Sequence, residues 1–197
     1  MNSPRFAPAG LPLCCGSAVV AFDGGPGAEP PPRLDAWLVT DEQAELRADL
    51  HAMAAPHELV PHAGNLDLGE VAIRAHPVVH TTHPAWGYRI ETDSQVAVWA
   101  PEFWEFPEWV AGADLMFAEA ADWDRPIRFR GGVGGHMCVQ DVAAVARLHA
   151  VRRLVFAHIG RPCLRAMDAG HQPPWGEWGA AGRTYTPARA HRPSRRA

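Results

Sequence analysis

The sequence predicts an α/β protein in which helices cover two β-sheets. Apolar runs of strand length alternate with helix-forming segments along most of the chain. Turn sequences rich in glycine and proline separate these runs. A chain of 197 residues with 47% hydrophobic content suits a single core. We therefore expect one domain over residues 1–186, followed by a disordered basic tail at residues 187–197.

The N-terminal part predicts two strands and a helix. The run at residues 17–22 stops at the turn sequence Asp23-Gly-Gly-Pro-Gly, and residues 34–40 form a second strand candidate. Helix formers fill residues 41–53, where apolar residues recur at spacings of four and three. Asp41 is placed to act as the N-cap of this predicted helix.

The remainder predicts mostly sheet. Strand patterns cover residues 70–79, 87–91, 95–99, 114–119 and 153–157. The second and third of these predict a hairpin, since a short polar turn separates them. A helix is predicted at residues 140–150, directly before the last strand.

Composition excludes several classes of function. The net charge of −4 provides no basic field for nucleic acid, and all positive charge comes from arginine because lysine is absent. The four cysteines show no CxxC spacing, which disfavours a disulfide framework and fits a reducing cytoplasm. Neither a signal peptide nor an apolar run of membrane-spanning length is present, and the elements of a P-loop are missing.

Four polar residues mark a candidate site in the second half of the chain. His80, Glu102 and His158 each follow an apolar, strand-like run, and His136 follows the glycine-rich segment 131–135. Imidazoles and a carboxylate at strand ends and in a glycine loop indicate a metal-assisted hydrolytic site.

Each of these residues also has a purely structural interpretation. His80 and its neighbour His83 could form a hydrogen-bonding loop element, and His83 competes with His80 as a ligand. Glu102 could be a solvated carboxylate at a strand end, and His136 a turn residue. His158 could be a hydrogen-bonded core histidine, although the loop sequence after it favours a functional position.

The order of these motifs resembles the metallo-β-lactamase superfamily. The matching segments, in order, are Asp23-Gly-Gly-Pro-Gly, Leu34 to Thr40, His80 before Gly87-Tyr-Arg-Ile, Ala100-Pro-Glu102, Gly135-His136 and Ala157-His158-Ile. The chain is most similar to the phosphodiesterase branch, which includes ribonuclease Z and the cyclic phosphodiesterase of phosphonate breakdown. This resemblance implies a four-layer αββα sandwich with a two-metal site at one edge.

The resemblance also implies roles for the four residues. His80 matches a ligand of one metal, His158 matches a ligand of the other, and Glu102 stands where the family has a metal-bridging aspartate. His136 matches the family's catalytic histidine, a proton donor near the scissile phosphate. Implied partners are a small-molecule or phosphodiester substrate, and a homodimer is left open. Action on nucleic acid is disfavoured because no basic arm is inserted.

One motif of the family is replaced. After the strand that ends at Thr40 the family places His-x-His-x-Asp-His, and this chain has Asp41-Glu-Gln-Ala-Glu-Leu46 instead. Aligned there, Asp41 and Gln43 replace two histidines and Glu45 replaces the aspartate. Leu46, in place of the last histidine, cannot bind a metal.

Two interpretations of this replacement remain open. In the first, Asp41 and Glu45 join His80, Glu102 and His158 in an oxygen-rich site that favours a harder ion such as manganese or magnesium, and the protein hydrolyses a phosphodiester or related ester. The family resemblance leaves the divalent cofactor open among zinc, manganese and iron. In the second, the site is degenerate and binds no metal or one weak metal. The protein would then be a non-catalytic member of the fold that acts as a binding or partner protein.

Overall fold

The computed structural model describes residues 5–187, within which the chain forms twelve strands and three α-helices. The strands are β1 (Gly10–Cys15), β2 (Ala18–Asp23), β3 (Ala36–Leu38), β4 (Leu66–Asp67), β5 (Ala72–Val78), β6 (Ala85–Glu91), β7 (Val96–Ala100), β8 (Leu115–Ala120), β9 (Ile127–Arg128), β10 (Gly135–His136), β11 (Leu154–Ile159) and β12 (Glu177–Trp178). The helices are α1 (Arg47–Ala54), α2 (Val139–Leu148) and α3 (Arg161–Asp168). Short 3₁₀ helices lie at Ala55–His57 and Glu108–Val110.

Two sheets form the body of the fold. The smaller has the order β1-β2-β3, in which β1 pairs antiparallel and β3 parallel with β2. The larger has the order β12-β11-β8-β7-β6-β5-β4. Strands β7, β8 and β11 are parallel neighbours, so their carboxyl ends meet at one edge. The strands β9 and β10 form a separate hairpin, residues 127–136, which we call the site hairpin.

Alternation along the strands sorts apolar side chains between the layers. In β2, Val20 and Phe22 face the larger sheet, whereas Ala21 faces α1. In β7, Trp99 enters the core between the sheets, and Val98 packs on the opposite face of the larger sheet. A two-residue period of this kind is the pattern that the sequence displays in its strand segments.

Three apolar clusters therefore separate four layers. The first lies between α1 and the smaller sheet, the second between the two sheets, and the third between the larger sheet and helices α2 and α3. Large side chains such as Phe22, Tyr88 and Trp99 are fully buried in the middle cluster. Burial of a phenylalanine such as Phe22 contributes roughly 1.5–3 kcal/mol. The predicted αββα sandwich is confirmed.

The prediction of a helix over residues 41–53 is wrong at its start. Helix α1 begins at Arg47, and Asp41 does not cap it. Oδ1 of Asp41 instead accepts a hydrogen bond from the amide of Gln43 at 2.7 Å, which closes an aspartate turn. Because this turn competes with helical hydrogen bonding, residues 41–46 form a connection before the helix.

No helix within residues 5–187 is long and apolar enough to cross a membrane. The predicted disordered tail lies outside the described residues, except for Pro187. The four cysteines are unpaired thiols, as the absence of a disulfide pattern predicts.

Candidate functional site

Five polar side chains converge at the edge where the parallel strands of the larger sheet end. His80 follows β5, Glu102 follows β7, and Glu119 and His158 lie near the ends of β8 and β11. His136 ends the site hairpin and is buried. The structure thus brings together all four residues of the predicted second-half site and adds Glu119.

Glu102 lies between two of the histidines. Its Oε2 is 3.5 Å from Nε2 of His80, and its Oε1 is 3.1 Å from Nε2 of His158. Nδ1 of His80 lies 3.0 Å from the carbonyl oxygen of Gly135 and must donate to it, because a carbonyl only accepts. This hydrogen bond fixes the tautomer in the neutral imidazole and leaves the lone pair on Nε2, the form of histidine that binds metals.

Glu119 is a fully buried carboxylate at the base of the cluster. It accepts hydrogen bonds from the amides of Phe103 and Ala121, at 3.0 and 2.9 Å, and from Nδ1 of His136 at 2.8 Å. Burial alone raises its pKa, but the charges of His136 and His158 and the hydrogen bond from His136 outweigh burial and lower the pKa to about 2. Glu119 is therefore an ionised partner that orients the His136 ring.

His158 occupies a strained position between the two carboxylates. Its backbone has φ of 50°, a left-handed conformation that is uncommon outside glycine. Burial lowers the pKa of its imidazole, but Glu102 and Glu119 raise it further, to about 9. Its Nδ1 is buried 3.6 Å from Oε1 of Glu119 and has no hydrogen-bond partner among residues 5–187. Both ring nitrogens thus face carboxylates, an arrangement that attracts a proton or a metal cation.

Aromatic rings and close backbone contacts pack the cluster. The ring centroids of His80 and His136 are 4.7 Å apart, and Phe129 lies edge-on to both at 5.6 and 5.4 Å. The amide of Gly135 donates to the carbonyl of His80 at 2.9 Å. A Cβ atom at position 134 would lie 2.0 Å from that same carbonyl oxygen. Glycine is therefore required where the site hairpin meets His80.

Asp23 supports the site from the smaller sheet. Its carboxylate accepts hydrogen bonds from the Trp99 indole at 2.7 Å and from the Thr40 amide at 2.7 Å. Burial raises its pKa to about 6, against the opposing effect of these hydrogen bonds, and the nearby charge of Glu102 raises it as well. Since Trp99 precedes the Pro101-Glu102 turn, this contact links the two sheets beside the site.

Asp41 and Glu45, the other predicted ligands, have different surroundings. Oδ2 of Asp41 lies 2.7 Å from Nε2 of His83, so each side chain is the hydrogen-bond partner of the other. Glu45 is exposed. Within residues 5–187, the one group of three ligand-type side chains whose atoms all lie within 4.8 Å is Glu119, His136 and His158. Neither Asp41 nor Glu45 belongs to it.

Sequence reasoning missed Glu119. It lies in the strand Leu115–Ala120, in which all the other residues are apolar and every residue is buried. An isolated acid in an apolar run was the available signal, because a buried carboxylate requires a charged or hydrogen-bonding partner.

The fold is shared with solved structures of low sequence identity. The chain is similar to the metallo-β-lactamase fold protein YhfI from Bacillus subtilis, with a TM-score of 0.65, 16% identity and coverage of 90% of each chain. A diphosphatase from the PhnP family has a TM-score of 0.58 and 15% identity, with 85% of this chain and 79% of that chain covered. Zinc-bound PqqB from Methylobacterium extorquens has a TM-score of 0.55 and 13% identity, with coverage of 86% and 83%.

No protein-family model matches the sequence, and no curated protein matches it. The structural similarity therefore establishes the architecture and leaves the activity to the chemistry of the site. It agrees with the layer order of the chain. The chain has the metallo-β-lactamase fold.

Proposed function

We propose that this protein is a metal-assisted hydrolase of a phosphodiester or related ester that uses one divalent ion. The observation that carries the proposal is the position of Glu102, which faces Nε2 of both His80 and His158. A second pair, His136 and the buried Glu119, lies beside these three side chains and provides a group for proton transfer.

The donors fit a single ion better than a pair. Three imidazoles and two carboxylates suit zinc, manganese or iron, and both ring nitrogens of His158 face carboxylates, Glu102 at 3.1 Å and Glu119 at 3.6 Å. A second ion would need the ligands that the family places after Thr40, and here Asp41 binds His83 and Glu45 is exposed. We therefore assign one ion to the cluster.

Within the cluster, His80, Glu102 and His158 are the proposed ligands. Two ligands of a tetrahedral zinc are about 3.3 Å apart, given zinc–ligand distances of about 2.0–2.1 Å. The separations of 3.5 and 3.1 Å from Glu102 to His80 and His158 are close to this value. The two histidines face different carboxylate oxygens, and the three side chains do not offer one ligand atom each within 4.8 Å of one another, so binding one ion requires them to move closer together. The alternative set of metal ligands is Glu119, His136 and His158. In that set, Glu119 and His136 already share a direct hydrogen bond of 2.8 Å.

Catalysis follows from the roles of the remaining groups. The bound ion would lower the pKa of a water molecule and so supply hydroxide near neutral pH. Glu119 holds Nδ1 of His136, which leaves Nε2 free to donate a proton to the leaving oxygen. The ionised Glu119 also stabilises the protonated imidazole before it donates.

Metal reconstitution tests this proposal. The protein is stripped with a chelator, incubated separately with zinc, manganese and iron, desalted and analysed for metal, and then assayed with bis(p-nitrophenyl) phosphate. We expect one ion per chain and cleavage of the diester, both lost in His158→Ala. His171→Ala is the matched control, because His171 is exposed and packs on Trp123 away from the carboxylates.

Two results would overturn the proposal. If no metal binds to the reconstituted wild-type protein and no ester is cleaved, the site is degenerate and the protein acts by binding. If metal binds equally well to wild type and His158→Ala, the ion lies elsewhere and the assignment of His80, Glu102 and His158 is wrong.

A further inference from the structure

The site hairpin presents two apolar side chains on the face that carries His136. In its antiparallel register Ile127 lies opposite His136, and cross-strand partners share one face. Phe129 follows Ile127 by two residues, and its ring centroid is 5.4 Å from that of His136, so it lies on the same face. Arg128 and Gly135 form the other pair of the register and lie on the opposite face. The hairpin therefore directs Ile127 and Phe129 toward the histidine cluster.

Neither of these side chains is part of the core. Both are half-buried, and within residues 5–187 neither belongs to, or packs against, any of the three apolar clusters. Phe129 instead lies edge-on to the imidazoles of His80 and His136. Other phenylalanines of the chain are buried, namely Phe22, Phe103, Phe117 and Phe156. Half-open apolar surface beside a few convergent polar groups is the usual lining of a ligand pocket.

Backbone hydrogen bonds fix this apolar surface in place. The amide of Phe129 donates to the carbonyl of Gly134 at 2.9 Å, and the amide of Gly132 donates to the carbonyl of Phe129 at 3.1 Å. The amide of Gly135 donates to the carbonyl of His80 at 2.9 Å, which ties the hairpin to the cluster. A surface held in this way loses little conformational freedom when a ligand packs on it.

We propose that Ile127 and Phe129 form the apolar wall of the substrate pocket, and that the alcohol released from the ester carries an aromatic or branched alkyl group. This inference rests on the proposed hydrolase function. His136 donates its proton through Nε2, because Glu119 holds Nδ1. The oxygen that accepts this proton lies about 3 Å from Nε2, so the group attached to it is next to the Phe129 ring. Burial of that group against apolar carbon favours an apolar alcohol over a polar one.

A binding experiment without turnover tests the wall. The chain contains four isoleucines, so labelling of their δ1 methyl groups gives four signals in a methyl NMR spectrum. Chelator-treated protein is titrated with benzyl alcohol and, separately, with glycerol. We expect the Ile127 signal, assigned with Ile127→Val, to shift saturably with benzyl alcohol and not with glycerol. The signals of Ile73 and Ile90, buried between the sheets, should stay unchanged as internal controls.

Variants at Phe129 show whether its ring contributes to this binding. Phe129→Ala should raise the dissociation constant for benzyl alcohol at least about fivefold, because one apolar face of the pocket is lost. Phe129→Leu should recover most of the affinity, since it keeps apolar surface. Phe106→Ala is the matched control and should bind as wild type. Phe106 is also half-buried with its ring against a histidine, but that histidine is His149, at 5.0 Å between centroids.

A kinetic arm shows whether the same wall contacts the substrate. In the metal-loaded wild type, benzyl alcohol should inhibit hydrolysis of bis(p-nitrophenyl) phosphate competitively, with an inhibition constant equal to the dissociation constant from NMR. Glycerol should not inhibit at the same concentration. In Phe129→Ala the inhibition constant should rise by the same factor as the dissociation constant. A displaced His136 alone would lower kcat without changing this inhibition.

The outcomes separate this inference from the proposed function. The wall is overturned if the Ile127 signal does not shift in wild type, or if wild type and Phe129→Ala bind benzyl alcohol equally. Binding without competition in an active enzyme overturns the assignment to the released alcohol. If metal binding and hydrolysis both fail while Phe129-dependent binding persists, the hydrolase is overturned and the apolar wall is kept as a binding site. A circular dichroism spectrum of each variant checks that the fold is intact.

Discussion

Nδ1 of His136 lies 2.8 Å from Oε2 of Glu119, a carboxylate that is completely buried. The pair joins the end of the site hairpin to the strand Leu115–Ala120, and the same carboxylate accepts amides from Phe103 and Ala121. One buried acid therefore fixes both the histidine ring and the backbone next to Glu102. Loss of its charge should affect catalysis and stability together.

Glu119→Gln tests this dual role. Because the neutral amide cannot stabilise a protonated His136, we expect kcat for the diester to fall by a factor of about 100 to 10,000. We also expect the free energy of unfolding, measured in urea, to fall by about 3 kcal/mol, as for other broken buried ion pairs. Metal content should remain, since Glu102 is the proposed carboxylate ligand. Wild-type activity in Glu119→Gln, with the exposed Glu108→Gln as control, would remove Glu119 from the mechanism.

The buried Asp23 predicts a pH-dependent stability between about pH 4 and pH 6. Its pKa rises from 3.8 to about 6 on folding, mainly through burial, so the folded state holds its proton more tightly than the unfolded state. This contribution favours folding at low pH and is lost as the pH rises through this window. In Asp23→Asn the ionisation is removed. The difference in unfolding free energy, Asp23→Asn minus wild type, should therefore increase from pH 4 to pH 6.5. A difference that is constant with pH contradicts the burial of this carboxyl group.

The close approach at Gly135 predicts a site-specific loss of order. A Cβ atom there would lie 1.9 Å from the carbonyl oxygen of Ile127, so Gly135→Ala should separate the strands of the site hairpin. Gly112→Ala is the matched control, because Gly112 also has a positive φ but nothing within 4 Å of the added atom. We expect the control to lose only about 1–2 kcal/mol. Gly135→Ala should lose more stability than Gly112→Ala and nearly all hydrolytic activity. If thermal unfolding shows the same loss of stability in both variants, this argues against the close approach of position 135 to the Ile127 carbonyl.

Variants at Asp41 and Glu45 distinguish a site that binds one metal ion from a rebuilt site that binds two. Asp41→Asn weakens the 2.7 Å contact with His83 and should cost about 1–3 kcal/mol of stability, with one ion per chain retained. Glu45→Gln should change neither quantity, because Glu45 is exposed. Metal analysis of both variants after reconstitution is the measurement. A drop from two ions to one in either variant would restore that carboxylate as a ligand.

The central strands were predictable from local pattern. The segments at 87–91, 114–119 and 153–157 coincide closely with β6, β8 and β11. Strands β8 and β11 are largely buried and appear as short apolar runs, whereas β6 alternates apolar and polar residues. Helix α2 also lies within the predicted range 140–150 apart from its first residue. In these segments, burial, strand or helix propensity and the positions of turns all favour the same secondary-structure element.

The edges of the fold were not predictable in this way. Strands β4 and β12 are two residues long, and their pairing depends on neighbours that approach only in the folded chain. The start of α1 was misplaced because the turn at Asp41 and its contact with His83, 42 positions away, compete with helical capping. Neither interaction has a local signal that outweighs helix propensity.

The candidate site was only partly visible in the sequence. His80, Glu102 and His158 stood out because each polar residue interrupts an apolar run at its end. Glu119 lies within such a run, so the sequence pattern predicts only a strand there, whereas its carboxylate is central to the cluster.

The hydrogen bond from Trp99 to Asp23 has a consequence for the order of assembly. It joins residues 76 positions apart and crosses from the larger sheet to the smaller one. Contacts of such long range form late, after the intervening chain has lost much of its freedom. Trp99 lies just before the turn that holds Glu102. The surroundings of this turn are therefore complete only when the N-terminal strands have docked. The capacity to bind metal should therefore appear in the last phase of folding, together with the burial of Trp99.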